Sequence, residues 1–291
     1  MKIYDTFRFF NELDMLELRL NILYDVVDYF IISEFNITFT GNKKDYIFEK
    51  NKDRFSKFLD KIIYIKQDLD FDNFNNVPLI ENPQSFKDHE TNKLLGFFNN
   101  ATHFSKFEPH WCRDYLHREM IRLGYETCND EDIILTSDID EIPNPKILQN
   151  LDKFYEDSKI YILSQNMYYY YFNVLKERNW KGSTLISWKR LKDVSLNDIR
   201  CGYFDSIINN GGWHFSYMGG VDAIKDKIVN FGHQEINRDD IKDNLDNIIG
   251  NLKDIYSVYG RKDTKLEKVE IDDTYPEYII NNKDKLDIFI L

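Results

Sequence analysis

Apolar positions along this chain recur with two periods, the alternation of strands and the 3.6-residue spacing of helices, and the switching between them predicts an α/β protein. Ile3 to Phe10 reads as a first strand and turn. Leu13, Leu16, Leu20 and Leu23 then share one helical face, with Asn11 placed as the N-cap. Val26 to Ile32 is a nearly continuous apolar run, the pattern of a strand covered on both faces. The three segments together predict a βαβ start. A short strand is expected over 61–66. The acidic, Asn-rich stretch from Gln67 to Lys106, with Pro78 and Pro83, predicts a long irregular loop of the kind that serves function.

His110 to Leu123 reads as a helix whose Trp111, Tyr115, Arg118 and Arg122 form one stripe. Such a stripe can hold a base and phosphates. Equally, Trp111 and Tyr115 can pack in a core while Asp114 pairs with Arg118, and the spacing favours this second reading. Asp132 to Thr136 predicts a buried strand, followed by the turn Ser137-Asp138-Ile139-Asp140-Glu141-Ile142-Pro143-Asn144-Pro145, with Pro145 in the first turn of the next helix. Tyr168 to Phe172, read as a strand, puts two tyrosines on each face. One face is expected to be core, and the other, with Trp180 and Trp188, to offer ring faces and hydroxyls of the kind that suit sugar rings. His214 falls in a short strand between glycine pairs, and from Asp222 onward alternating charged and apolar residues predict a helical flank closing the sheet. A single domain over 1–291 is expected, with 1–150 and 151–291 as its two halves.

Composition narrows the classes. The chain has 291 residues, is 42% hydrophobic, and carries 22 Phe, 19 Tyr and 4 Trp, far too aromatic for a disordered chain. Its formal net charge of −12 repels polyanions, which makes nucleic acid an unlikely partner. No apolar run approaches a membrane span, and no leader follows Met1, so a soluble cytoplasmic protein without signal peptide or anchor is expected. The Asn-, Lys-, Ile- and Asp-heavy composition fits a bacterial or viral source. Cys112, Cys128 and Cys201 form no CxxC pair, and His103, His110, Cys112 and His117 match no zinc spacing.

Candidate chemistry concentrates after the Asp132–Thr136 strand, because ligands of open α/β sheets bind beyond the carboxyl ends of strands. In extended backbone Asp138 and Asp140 point the same way and could offer oxygens to a hard cation, while Glu141 faces elsewhere. The triplet alone says little, since Asp68/Asp70, Asp70/Asp72 and Asp130/Asp132 repeat it. Its position after a strand distinguishes it, and an acidic turn that merely caps the next helix is an equal reading.

The block Asp5-Thr6-Phe7-Arg8-Phe9-Phe10-Asn11-Glu12-Leu13-Asp14-Met15-Leu16-Glu17-Leu18-Arg19-Leu20 resembles glycosyltransferase family 17. The resemblance continues through Val27-Asp28-Tyr29-Phe30, Glu34, Phe39-Thr40-Gly41, Lys44, Ser137 to Pro143, Gly212-Trp213-His214-Phe215-Ser216, Phe231-Gly232-His233-Gln234-Glu235 and Tyr275-Pro276-Glu277-Tyr278-Ile279. It implies a GT-A-like fold with a mixed, largely parallel sheet flanked by helices. It also implies a nucleotide-sugar donor, UDP-N-acetylglucosamine in the characterised members, a divalent metal (Mn²⁺ or Mg²⁺), and inverting transfer to a hydroxyl of a glycan or glycoconjugate acceptor. Under it Asp138, Asp140 and His214 are the expected metal ligands, and Arg19, Glu34, Arg118 and Asp138 the expected donor contacts. Glu235, Glu141 and Asp222, with Asp205, are the base candidates. A phosphoesterase, a nucleotidyltransferase or a non-catalytic carbohydrate-binding protein are the alternative classes.

Overall fold

The computed structural model describes residues 1–257 and 265–291. Strand β1 (Ile3–Phe9) leads into the helix Leu13–Leu23, and β2 (Tyr29–Phe35) returns parallel to β1 with Thr6 opposite Ile31. The βαβ start therefore forms as expected, although β2 begins three residues later than the apolar run. Val26 and Val27 are used instead to close the helix, both amides donating to the Leu23 carbonyl. Asn11 is not the cap. Glu12 occupies that position, and the Asn11 amide reaches Asp226 at 2.7 Å.

Strand β3 (Ile62–Gln67) pairs parallel to β2, and β4 (Ile133–Asp138) parallel to β1 on its other side. The remaining strands are β5 (Glu141–Pro143), β6 (Tyr161–Tyr169), β7 (Val174–Ser187), β8 (Ser206–Ser216) and β9 (Glu267–Lys268). Among the described residues all nine form one sheet in the order β3-β2-β1-β4-β7-β6-β8-β5, with β9 on β7. The β4–β7, β6–β7, β5–β8 and β7–β9 pairs are antiparallel, and β6–β8 is parallel. This is the mixed α/β sheet, flanked by helices, that the family resemblance implies.

Between β3 and the helix Pro109–Glu119 the expected irregular loop contains a 15-residue helix, Phe86–Asn100. Its first turns are polar, so no apolar stripe announces it, yet it opens on a capping box. Asp88 N donates to Ser85 Oγ, and the Asp88 carboxylate accepts from the Ser85 amide. Leu94, Leu95 and Phe98 of this helix pack with Phe35 and Tyr115. Arg122 is fully buried against its Glu90, at 3.1 Å. Of the two aromatics of the stripe Tyr115 is core, whereas Trp111 is half-buried and meets His233 edge-on at 5.0 Å, and Asp114 pairs with Arg8 at 2.6 Å rather than with Arg118.

The tyrosine run also departs from a regular strand. β6 ends at Tyr169, and Tyr170 has φ +68°, so the alternation stops there. Tyr168 and Phe172 join the main core with Phe7, Leu16 and Phe215. Tyr169 and Tyr170 join a second core with Tyr217, which the helix Gly220–Asn230 and the short helices after it cover through Ile224, Ile228, Ile241 and Ile248. That covering is the helical flank expected from Asp222 onward. Trp188 lies 3% exposed against Tyr125, inside a third core on the opposite side of β1 and β4. No described helix is long and apolar enough to cross a membrane.

Candidate active site

β4 carries Asp138 at its carboxyl end. After Ile139, which is buried in the main core, the chain leaves β4 and enters β5, which pairs with β8 so that Glu141 stands opposite His214. The Phe215 amide donates to the Asp140 carbonyl at 2.8 Å. Gly212, opposite Pro143, permits this approach, since a Cβ there would lie 2.1 Å from the Ile142 carbonyl oxygen and its φ is +138°. Arg19 braces the turn from below. It is fully buried, paired to Asp5 at 2.6 Å, and its Nη1 donates to the carbonyls of Asp138, Ile139 and Glu141 at 3.0, 3.1 and 2.9 Å. Ser137 Oγ accepts from its other terminal nitrogen, so the guanidinium is spent on holding the acidic turn.

Three guanidiniums meet on Asp138. Arg8 and Arg118 reach Oδ1 at 2.8 and 3.0 Å, and Arg200 reaches Oδ2 at 3.3 Å. Burial alone would raise this carboxyl, but Arg118, Arg8 and Arg200 outweigh it and hold Asp138 well below the usual carboxylate range. Arg200 also grips Glu141 at 2.7 Å, and Trp180 Nε1 donates to the same carboxylate at 3.1 Å. Asp140 is treated differently. Lys227 lies 3.1 Å from Oδ2, and His214 Nε2 stands 3.5 Å from Oδ1. Against the cost of burial, Lys227 and His214 keep this carboxyl ionised and lowered as well.

These groups open onto a cavity of about 370 Å³. Its charged lining is Arg8, Glu12, Asp138, Asp140, Lys176, Glu177, Arg200 and Lys227, with His117, His214 and His233, and its aromatic lining includes Phe35, Phe39, Tyr169, Trp180, Tyr217, Phe231 and Tyr256. Of the expected residues, Asp138, Asp140, His214 and Trp180 line it together. Arg118 stands behind Asp138 and does not line it, and neither do Arg19, Glu34, Glu141, Asp205, Asp222, Glu235 or Trp188. Glu34 is buried, paired with Lys44 at 2.7 Å, and accepts from the Phe48 amide and the Tyr64 hydroxyl, which ties β2 to the segment after it. Asp222 is exposed in the first turn of the Gly220–Asn230 helix. Asp205 is exposed and caps the Ile160 amide. Glu235 accepts from His233 Nδ1 at 2.6 Å, and of the two it is His233 that lines the cavity.

Reading residues alone overlooked Arg8, Arg200, Lys227, Glu177 and His233. Arg8 and His233 lie inside family-like blocks, and their positions carried that signal. The others come from segments far along the chain that the sheet order folds back over the β4 end. His103, His110, Cys112 and His117 do not converge. His117, for instance, stacks on Phe35 at 3.4 Å.

A small hard cation can be bound through one or two protein groups plus substrate oxygens, and in the acidic turn Asp140 is the carboxylate that no described arginine holds. Among the described residues no group of three or more His, Cys, Asp or Glu side chains gathers as a closed cage. Asp140 Oδ1 and His214 Nε2, 3.5 Å apart on the cavity wall, form an open two-residue corner. His214 Nδ1 is buried without a partner, 3.9 Å from Glu141, the side on which a proton-bearing Nδ1 would leave Nε2 as a ligand facing Asp140.

No curated protein matches the chain. The model of glycosyltransferase family 17 matches residues 1–95 and 79–286. That span contains β1, β4, the acidic turn, β8 and every charged residue assembled around Asp138 and Asp140, and by it this chain belongs to glycosyltransferase family 17.

Proposed function

We propose that the protein transfers a sugar, N-acetylglucosamine from UDP-N-acetylglucosamine, with inversion, to a hydroxyl of a glycan or glycoconjugate acceptor, and that the cavity beyond β4 is where this happens. The observation that carries the reading is the convergence of Arg8, Arg200 and Lys227 with Asp138, Asp140 and His214 on one cavity wall. Arg8, Arg118, Arg200 and Lys227 stand against Asp114, Asp138, Asp140 and Glu141, so the fixed charges balance. A divalent cation arriving with a diphosphate keeps that balance.

Asp140 and His214 would hold the cation, with Asp138 beside them, and a bound Mn²⁺ or Mg²⁺ would act as a Lewis acid on the departing diphosphate. The chain's own groups do the rest. Arg8 and Arg200, kept in place by Asp138, Asp114 and Glu141, donate to phosphate oxygens in a fixed geometry. Lys227, 3.1 Å from Asp140, would be free to bond a phosphate oxygen if Asp140 held the cation. Trp180 and Tyr169 offer flat faces to a sugar ring.

The test is release of UDP from a panel of UDP-sugars with Mn²⁺ or with EDTA, for the wild type beside Asp140→Ala. The expected result is metal-dependent release with one preferred sugar, abolished in Asp140→Ala. Nucleoside monophosphate as the product would make the protein a phosphoesterase. Absence of both UDP release and a metal-dependent thermal shift with UDP would sink the transferase reading.

A further inference from the structure

Three histidines line the cavity, and each is held differently. His214 faces Asp140, and His117 is stacked flat on Phe35 with its Nε2 buried and unpartnered. His233 is different, because its Nδ1 lies 2.6 Å from Glu235 Oε1. An ionised carboxylate only accepts, so Nδ1 carries the proton and the Nε2 of a neutral ring is left with its lone pair. Nε2 has no partner among the described residues. The ring is packed edge-on against Trp111 at 5.0 Å and Tyr256 at 5.8 Å and tilted on Phe231 at 5.3 Å, three contacts that fix its plane. Glu235 is the charged group bonded to it and Tyr256 the titratable one packed on it, while Trp111 and Phe231 bring no charge. Lys227 lies 5.7 Å from the same Phe231 ring and bonds Asp140, which connects His233 to the acidic turn through adjoining side chains.

We propose that His233 is the general base of the transfer and that Glu235 is the positioning residue that sets its tautomer. The inference rests on the nucleotide-sugar reading above. In the step, the acceptor oxygen forms a bond to the anomeric carbon as the bond from that carbon to the β-phosphate oxygen breaks, with its electron pair leaving on the diphosphate. The hydroxyl proton passes to His233 Nε2, Glu235 stabilises the resulting imidazolium, and solvent later takes the proton. Glu235 thereby serves proton removal without itself facing the acceptor. The competing base is Glu177, a carboxylate on β7 that also lines the cavity.

The experiment measures UDP release from UDP-N-acetylglucosamine with water as acceptor, across pH, for the wild type, His233→Gln, His233→Asn, Glu235→Gln, Glu235→Asp and Glu177→Gln. UDP affinity and circular dichroism are followed in parallel. The expected loss in both His233 variants is about 10²-fold or more, with UDP affinity within about twofold of wild type. Glu235→Gln lowers the rate with UDP affinity unchanged, because the carboxylate that fixes the Nδ1 proton is gone, and Glu235→Asp, which still accepts from Nδ1, restores part of it. Nitrogen-15 shifts of the His233 ring, which need no turnover, should show the proton on Nδ1. A proton on Nε2, or wild-type rates in a folded His233 variant with loss in Glu177→Gln, overturns the proposal. Absence of UDP binding by the wild type would remove the donor reading itself, whereas bound UDP with unaffected His233 variants removes only this base.

Discussion

Individual side chains in this site gain their properties from burial set against charge. Asp138 is ionised because three guanidiniums outweigh its desolvation, and Asp140 because Lys227 and His214 do the same. His117 has no such compensation. Burial, then the like charges of Arg8, Arg113 and Lys44, push it well below its ordinary value of 6.5, so it is neutral in the folded protein. The unfolded chain therefore binds a proton below pH 6.5 that the folded chain refuses. Stability contributed by this residue is complete above that pH and declines as pH falls toward the lowered folded value, by up to about 1.4 kcal/mol per unit. Asp138 and Asp140 add nothing to that window, since their own loss lies below the ordinary carboxylate range. Urea denaturation between pH 7 and pH 5 should show the decline, and His117→Phe, which can still stack on Phe35, should flatten it. An equal slope in both proteins would mean that another group is responsible.

Strand pairing decides which of these residues meet. Asp138 ends a strand in the middle of the sheet, and Asp140 belongs to the turn that carries the chain to a strand at its far edge. The β5–β8 pairing is what brings His214 beside Asp140, and Gly212 lets the two backbones close. Adding a methyl there meets the Ile142 carbonyl at 2.1 Å in a backbone conformation that L residues rarely adopt. Gly212→Ala should therefore cost more than about 1 kcal/mol in unfolding free energy and displace His214 from Asp140. Mn²⁺ affinity, followed by the electron paramagnetic resonance of the free ion, should fall in this variant although no proposed ligand has been changed. Retained affinity would show that the pairing does not set the corner.

Across the molecule, four clusters of buried apolar side chains lie about the sheet among the described residues, and Phe289 belongs to the main one. Phe289 is 6% exposed and stacks on Phe172 at 5.2 Å, and its carbonyl accepts from the Phe172 amide at 2.8 Å. Asn173 bonds the backbone of Leu291 through both its oxygen and its nitrogen. Phe172 in turn touches Phe215, the residue after His214. Phe289→Ala should lower the unfolding free energy by about 3–5 kcal/mol, the usual range for emptying a buried phenylalanine site. Chemical denaturation measures it, and a loss under about 1 kcal/mol would mean that the terminal segment is only lightly docked.

The parts of this protein legible from residues alone are those that depend on near neighbours. The βαβ start, the buried strand before Asp138, the proline-led helix after it and the burial of Tyr115 all follow from spacing within a few positions. Errors arose where the signal was short or the contact long. A single capping box announced the Phe86–Asn100 helix inside a polar stretch, and Asp114 chose Arg8, 106 positions away, over its neighbour Arg118. The acidic turn could be singled out by its place after a strand, whereas its partners could not. Arg200 meets Asp138 across 62 positions, Lys227 meets Asp140 across 87, and Arg19 braces Asp138 across 119. Whether a carboxylate faces a cavity, an arginine or a core is a matter of sheet order and crossover, which local periodicity does not encode. Glu34, Glu141 and Glu235 therefore look alike in the chain and act differently in the fold, two locked in ion pairs away from the cavity and one turned toward a histidine that lines it.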